Sequence, residues 1–585
     1  MAESAVGLDA DQLGARRRRV DCHGGQASPG APAVSSVVGA WCVVRGKFTA
    51  TTTHHGPRTL VGSTPALLTD FRIRTAYSEG AGIYRIVPAA VAIPRGVEEL
   101  QRLVRWAADS GTPVVPRGAG SGMAGGSVGR DLVVDLSQGF RWTAPDWSRR
   151  TFWAGASVTW ADVTEAARPF GLRLPPDPSS GEFATSGGMV GTNAAGPRSV
   201  RCGSVRRWVE AIEIIDAAGT ARRVARGAGS GERFRLSPDQ RRLVEARFPK
   251  TRKNSAGYAL DCYARSGDEL DVLIGSEGTL AIVTAVEWRL EPIPADVAGV
   301  ALGFRTLEQL TEAVPYLVAL NPSAVELLDR TLLDFIRPRG VDLPDGLESL
   351  LLVEFERETQ AAARAVVGDA VRGLAASTAH VATAVDRAGL ERLWAVRRLA
   401  SPALARLPET QRSLQVVEDG CVPLERLGDY VAGIRAAAAR HGIPIAVFGH
   451  AGDGHVHVNT LPDVTRVDWN DGLAALYRDA VELLLALGGT PSGEHGVGRL
   501  RAGLLERFYG PEVAALFREV KRAYDAAAIF NPGVIIPSAD WAPVADLKVG
   551  PTAASIPDDI AARLRDVERT AGWAIPKVDL AVPSP

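Results

Sequence analysis

The chain has 585 residues, more than a single hydrophobic core serves, so roughly two to four domains are expected. Its 66 basic and 67 acidic residues balance to a net charge of −1, which supplies no whole-molecule field for nucleic acid or an anionic membrane. The five cysteines, at 22, 42, 202, 262 and 421, form no CxxC pair. That argues against a disulfide framework or a cysteine-held iron–sulfur cluster and fits a reducing cytoplasm. No apolar run reaches the roughly 18 residues of a spanning helix. Arg16–Arg19 is followed by Val20, Asp21, Cys22, His23, Gly24 and Gly25, not by the apolar stretch of an export signal.

Residues 1–62 are rich in Gly, Ser, Thr and Pro and lack periodicity. They read as a disordered tail, or as sequence upstream of the true start codon. Pro94 to Ser110 reads as a helix, with Val97, Leu100, Val104 and Ala107 on one face and Gly111 as its stop. Val114-Val115 and Leu132–Leu136 read as strands around a glycine-rich loop, residues 117–126. A second glycine-rich region spans Ser179 to Gly203, and Gly275–Leu280 leads into a strand at Ala281–Thr284. Pro292 and Pro294 mark a domain boundary. Beyond it, Ala298–Phe304 and Leu350–Phe355 read as strands, and Leu307–Leu320 and Thr359–Leu374 as helices. The pattern predicts an α+β domain with helices on one face of an antiparallel sheet. Pro511 to Tyr524 is a further helix, and the proline-rich end from Ser538 carries one short helix, Asp558 to Ala571.

Gly120-Ser-Gly122-Met-Ala-Gly125 matches the G-x-G-x-x-G string of dinucleotide folds. That motif needs a helix to open from the loop, whereas here a strand follows, so the Rossmann reading fails on context. The loop still suits a phosphate, because successive glycines let backbone N–H groups converge on an anion. The alternative is a plain surface turn.

Several separated strings, in order, carry a family resemblance. They are Pro116–Gly126, Pro175–Ser180, Ala184–Gly188, Gly191–Pro197, Lys253–Tyr258, Gly275–Leu280, Gly449–His457, Gly493–Gly496 and Asn531–Gly533. Over roughly residues 67–537 the chain resembles flavoproteins of the vanillyl-alcohol oxidase type. The nearest branch holds D-lactate dehydrogenases, the glycolate oxidase flavin subunit and D-2-hydroxyglutarate dehydrogenases. The resemblance implies an α+β fold: a two-part FAD-binding domain (63–295), an α+β cap with an antiparallel sheet (296–510), a helix and segment returning to the flavin (511–537), and an extension (538–585). It implies that FAD lies against Arg117, Gly118, Ala119, Gly120, Ser121, Gly122, Pro176, Asp177, Thr185, Gly187, Gly188, Asn193, Gly196, Gly203, Glu277, Gly278, Ile282 and Asn531. Arg117 also has a structural or charge-balancing reading. No histidine or cysteine lies in Gly118–Gly126, so the FAD is expected to be non-covalent. Tyr77–Tyr84 looks like long bacterial members with an appended iron–sulfur domain, for which this chain lacks cysteines.

Five of the nine histidines lie between His441 and His495. A strand at Val456–Asn459 would place His455 and His457 on the same face. His and Glu side chains suit Zn²⁺ or another divalent ion with an open coordination position; the alternative is a hydrogen-bonded cluster without metal. The resemblance implies metal ligands His450, His457 and Glu494, and a base at His495. It also implies a substrate-carboxylate arginine at Arg397, with Arg398 and Arg412 as alternatives. The implied reaction is FAD-dependent oxidation of a small D-2-hydroxy acid to its 2-oxo acid. Its electrons pass to a quinone, cytochrome, flavoprotein or separate iron–sulfur subunit; no nucleic acid or membrane span is involved, and a homodimer is compatible. Departures are His455 where asparagine is frequent, Cys202 for tyrosine and Ala281 for glycine; His455 would add a ligand or shift substrate choice. The competing readings are a zinc hydrolase and a non-catalytic flavin subunit.

Overall fold

The computed structural model describes residues 65–229, 233–341 and 343–582. The expectation for residues 1–62 lies outside these. Strands β1 (Ala90–Ala92), β2 (Val114–Arg117) and β3 (Leu132–Asp135) form a parallel sheet in the order β1-β3-β2. The helix between β1 and β2, Val97–Ser110, buries Leu100, Leu103, Val104 and Ala107 against it and ends at Gly111 in the left-handed conformation. Next come β4 (Thr143–Asp146), β5 (Thr151–Gly155), β6 (Leu172–Arg173), β7 (Val209–Ile215), β8 (Ala221–Ala225), β9 (Ile282–Arg289) and β10 (Glu291–Pro292). Five of them form an antiparallel sheet, β4-β5-β9-β7-β8, while β6 pairs with β10. These two sheets are the two parts of the N-terminal half, and Ile215 and Ile282 join the cluster under the first.

The second half is built on β11 (Asp296–Phe304), β12 (Ala324–Asp329), β13 (Ser349–Arg357), β14 (His380–Ala384), β15 (Ile445–His450) and β16 (His457–Thr460). They form one antiparallel sheet in the order β14-β11-β13-β12-β15-β16. The two-residue period splits its side chains cleanly. Val300, Leu302, Val325, Leu327, Leu351, Val353, Val447 and Val458 face the helices Leu307–Ala319, Gln360–Gly373, Leu427–Arg440 and Trp469–Ala486. Ala301, Leu328, Leu350, Leu352, Ala446 and Phe448 face the shorter helices Arg330–Ile336 and Ala400–Ala405. The expectation of helices on one face is therefore corrected: both faces of this central sheet carry enough apolar area to require a cover. The second face also carries Glu326, His450, His457 and Asn459 by the same alternation.

The helix Pro511–Tyr524 leads the chain back, where Val114 N–H donates to Ile529 O (2.7 Å) and Asn531 N–H to Val114 O (2.8 Å). The final segment holds two helices, Asp558–Thr570 and Lys577–Ala581, not the one expected. No helix among the described residues is long and apolar enough to cross a membrane.

The two halves are tied by an ion pair. Glu354 of β13, 1% exposed, receives Arg198 Nε and Nη2 at 2.7 Å each, and also Ser323 Oγ and Trp394 Nε1. Arg198→Met leaves that carboxylate buried and short of charge. Destabilisation of about 3 kcal/mol is expected, read as a lower urea midpoint at unchanged slope.

Candidate active site at the junction of the two halves

The glycine loop after β2 is shaped from behind by Arg117. Its guanidinium donates to Tyr77 O (3.1 Å), Ser127 O (3.3 Å) and Glu79 O (2.7 Å), all backbone carbonyls. Its side chain is thus a staple of the loop; the charge-and-structure reading describes its contacts. Gly120, at φ +79°, turns over that guanidinium, where a Cβ would clash. Gly118 abuts the Thr185 side chain, and Thr185 caps the helix Ser186–Thr192 by accepting from Gly188 N (3.3 Å). Gly278 sits against Pro116, and Asn531 Nδ2 bridges Gly126 O (2.9 Å) and Glu277 O (2.8 Å). Four separated glycine-bearing strings thus converge. Gly122 opens onto free space, and the buried Asn193 Oδ1 and Asn531 Oδ1 lack a partner. Unobstructed backbone and orphaned buried acceptors fit a large polar cofactor.

Other expected cofactor residues are placed differently. Asp177 is engaged with Arg198, so its carboxylate links the segment after Pro176 to Gly196–Arg198. Ala119 and Ile282 have side chains in apolar clusters, Gly187 lies against Ala156, and Gly203 turns at φ +69° with open space beside it. Ser121 is half-buried in the loop. The Glu277 carboxylate accepts from Val497 N (2.7 Å) and Gly498 N (2.9 Å) and so holds the loop that carries His495. Burial, against those two N–H donors, raises its pKa to about 7.

At the far end of the cap sheet, His450, His457 and Glu494 meet. His450 Nε2 is 2.9 Å from Glu494 Oε1 and 3.4 Å from His457 Nε2, and His457 Nε2 is 3.4 Å from the same oxygen. The outward nitrogens are held elsewhere: His450 Nδ1 by Glu326 (2.5 Å) and His457 Nδ1 by the Glu418 carbonyl (3.1 Å). This leaves both Nε2 atoms and one carboxylate oxygen facing a common point, the arrangement of a three-ligand metal site with oriented imidazoles. Five buried acids, Glu326, Glu418, Asp419, Asp453 and Glu494, surround this point, and Lys253, Arg397 and Arg501 are the buried Lys and Arg side chains paired with them. Against burial, Glu326 and Glu494 raise His450 to about 9, whereas burial pushes His457 down to about 4.

His455 is not arranged like these two. It precedes β16; Nε2 bonds Asp419 (2.8 Å) and Nδ1 faces Lys253 Nζ (3.3 Å). Both nitrogens are occupied by protein, although one ring nitrogen lies within 4.8 Å of the other ligand atoms. Lys253 in turn donates to Glu494 Oε2 at 2.7 Å. His495 stacks on His457, ring centroids 4.9 Å apart, with Nδ1 on Glu418 Oε2 (2.5 Å) and Nε2 turned toward Glu494 Oε1 (3.8 Å). Against burial, Glu418 and Asp419 raise its pKa to about 10. Arg397 lies over the Phe448 ring (4.7 Å) and donates through Nε to Glu326 (2.9 Å). Among the described residues its Nη nitrogens carry no hydrogen bond. Arg398 is exposed on Glu391, and Arg412 pairs with Glu409 and Glu568.

The acids Glu326, Glu418 and Asp419 escaped the sequence reading. The signal was there: acidic residues inside apolar extended segments, Ala324-Val-Glu-Leu-Leu and Val416-Val-Glu-Asp, are costly unless partnered. Asp419 accepts from Ser492 Oγ (2.6 Å), Glu494 N (3.3 Å) and His495 N (2.9 Å) as well as from His455. Asp419→Ala should cost about 3 kcal/mol and disorder the loop of Glu494 and His495, checked by thermal melting and by faster hydrogen exchange at residues 492–496.

Comparison with known proteins fits this layout. Residues 88–225 match the model of an FAD binding domain, and residues 293–535 that of the FAD linked oxidases, C-terminal domain. The chain is 30% identical to a D-lactate dehydrogenase of Archaeoglobus fulgidus over 76% of this chain and 91% of that one. It is also 30% identical to the glycolate oxidase subunit GlcD of Bacillus subtilis, over 77% and 89%. A D-2-hydroxyglutarate dehydrogenase of Escherichia coli is 28% identical over 81% of this chain, which spans 51% of that protein. Among solved structures, an alkyldihydroxyacetonephosphate synthase shares the fold, with a TM-score of 0.55 at 17% identity over 80% of this chain and 83% of that one. With cofactor loops in one half and a His/Glu pocket in the other, the chain belongs to the FAD-linked oxidases, in the branch of D-lactate, glycolate and D-2-hydroxyglutarate dehydrogenases, and is an FAD-linked oxidoreductase.

Proposed function

We propose that this enzyme oxidises a small D-2-hydroxy acid to the 2-oxo acid, with a divalent metal at His450, His457 and Glu494. The supporting observation is the pair of inward Nε2 atoms on one carboxylate oxygen, each ring held from outside. FAD against the glycine loops would supply the hydride acceptor for the substrate Cα–H. His450, His457 and Glu494 would hold Zn²⁺ or a similar cation, which would supply the Lewis acidity that lowers the pKa of the substrate hydroxyl. The protein supplies aim and proton traffic. Arg397 offers its Nη edge to the substrate carboxylate, fixed by Glu326 and by stacking on Phe448. A cation at His450, His457 and Glu494 would oppose the pull of Glu418 and Asp419 on His495 and favour its neutral imidazole, whose Nε2 can then take the hydroxyl proton while Nδ1–H is held by Glu418. Arg501 neutralises the other Glu418 oxygen (2.5 Å). Asn459 shares the face of His457, and its buried Nδ2 lacks a partner, which suits a polar group at the remote end of the substrate. The electrons leave to a quinone, cytochrome, flavoprotein or separate iron–sulfur subunit, and the enzyme acts in the cytoplasm. The zinc-hydrolase reading is not carried forward, because it leaves the converging glycine loops without a role.

Three results are expected. Under anaerobic conditions a D-2-hydroxy acid bleaches the flavin band faster than its L-isomer; equal rates would remove the stereochemical assignment. EDTA followed by gel filtration slows bleaching, and added Zn²⁺ restores it; indifference to chelation would exclude the metal. His495→Ala lowers the bleaching rate about 10²- to 10⁴-fold while the protein keeps its flavin and metal, measured by absorbance and elemental analysis.

A further inference from the structure

The last segment lies beyond the matched family regions, which end at residue 535. It is not peripheral to the cofactor loops. Ile556, Ile560, Leu564, Val567, Trp573, Leu580 and Ala581 form one buried cluster with Tyr77, Val91, Val115 and Val133, and with Ala119 of the glycine loop itself. Arg72 ties the two helices down through Asp559 and the carbonyl of Ala581 (3.1 Å).

Inside this contact lies Lys577. It is 4% exposed, stands over the Trp573 ring at 5.4 Å, and its Nζ has no hydrogen-bond partner. The charges that act on it are those of Arg117 and Asp135, and burial with Arg117 repulsion brings its pKa down to about 7. Arg117 has a matching defect, since its Nε is also buried without a partner. Among the described residues the carboxylate that acts on both cations, Asp135, already accepts from Tyr77 OH (2.6 Å) and Ser137 N (2.8 Å). Glu79 is engaged by Arg85 (2.6 Å), and Asp579 is exposed. Two buried cationic side chains that share one already engaged carboxylate, each with an unsatisfied donor, are unfavourable unless an anion stands near. Gly120 folds directly over the Arg117 guanidinium, so the anion on the other side of the loop would be a phosphate held by the loop N–H groups.

We propose that the C-terminal segment completes the flavin pyrophosphate site, with Lys577 as a buried positive charge behind the glycine loop. It touches no phosphate; it acts through the field across Arg117 and Gly120, and so is a positioning residue. The proposal rests on the FAD reading above.

The test uses full-length enzyme freed of flavin reversibly and titrated with FAD or riboflavin, following flavin fluorescence. Lys577→Met keeps the stem and removes the charge. The FAD Kd is expected to rise about ten-fold, while the Kd for riboflavin, which has no phosphate, stays within about two-fold. Lys577→Arg, which keeps the charge, holds FAD within about two-fold of wild type. An unchanged FAD Kd in the Met variant overturns the proposal. So does an equal loss for riboflavin, or an Arg variant as weak as the Met variant, since either would reduce Lys577 to packing. Wild-type apoprotein that binds no FAD would instead sink the flavin reading itself.

Discussion

Holding two imidazoles against one carboxylate in a buried volume is the constraint on which the site depends. Each group loses its water there, and each must find a partner on its far side. Glu326 and the Glu418 carbonyl provide these for His450 and His457, and Lys253 for Glu494. The partners come from β12, from the segment before Val422 and from a loop of the other half, so the cluster forms only when the chain is fully folded. Glu326 is the one of these acids that lies in a strand. Alternation along β12 turns Glu326 toward the site while Val325 and Leu327 remain in the core.

The same logic explains why the site lies at the boundary between halves. The glycine loops expose backbone donors but no base or metal ligand; the cap sheet has these but no cradle for a cofactor. The links that hold them in register include Arg198 on Glu354, Glu277 on Val497 and Gly498, and Lys253 on Glu494. Each joins charge to charge or charge to backbone N–H across the junction, and the carboxylates of Glu354, Glu277 and Glu494 in them are buried. The return of Asn531 to β2 and to Glu277 ties the C-terminal segment to the first half without charge.

Much of the layout was legible from local pattern. The helix read at Pro94–Ser110 from its apolar face and Gly111 spans Val97–Ser110, and the strand read at Ala298–Phe304 spans Asp296–Phe304. The histidine cluster between His441 and His495 stood out because few histidines occur and most cluster; the choice of His450, His457, Glu494 and His495 within it came from the family resemblance. Less was legible about what each side chain does. Arg117 at the loop entrance reads as a cofactor contact or as a structural or charge-balancing residue, and only the fold shows its guanidinium on three backbone carbonyls. His455 looked like a candidate ligand by strand periodicity, yet it precedes β16 and is held by Asp419 and Lys253. In both cases the partner lies tens or hundreds of residues away, beyond any local period.

Sequence alone determined which residue types were present and which backbone shapes they allow: glycines where a loop must approach closely, alternating apolar residues where a sheet must be covered, histidines and acids in short strings. Tertiary structure decided which of them share a charge environment. That the cap sheet is covered on both faces, that Glu418 and Asp419 orient His495, and that Lys577 lies behind the glycine loop all depend on contacts between distant segments. Electrostatic pairing in a water-excluded space is set by distance in three dimensions, and a linear pattern carries no record of it.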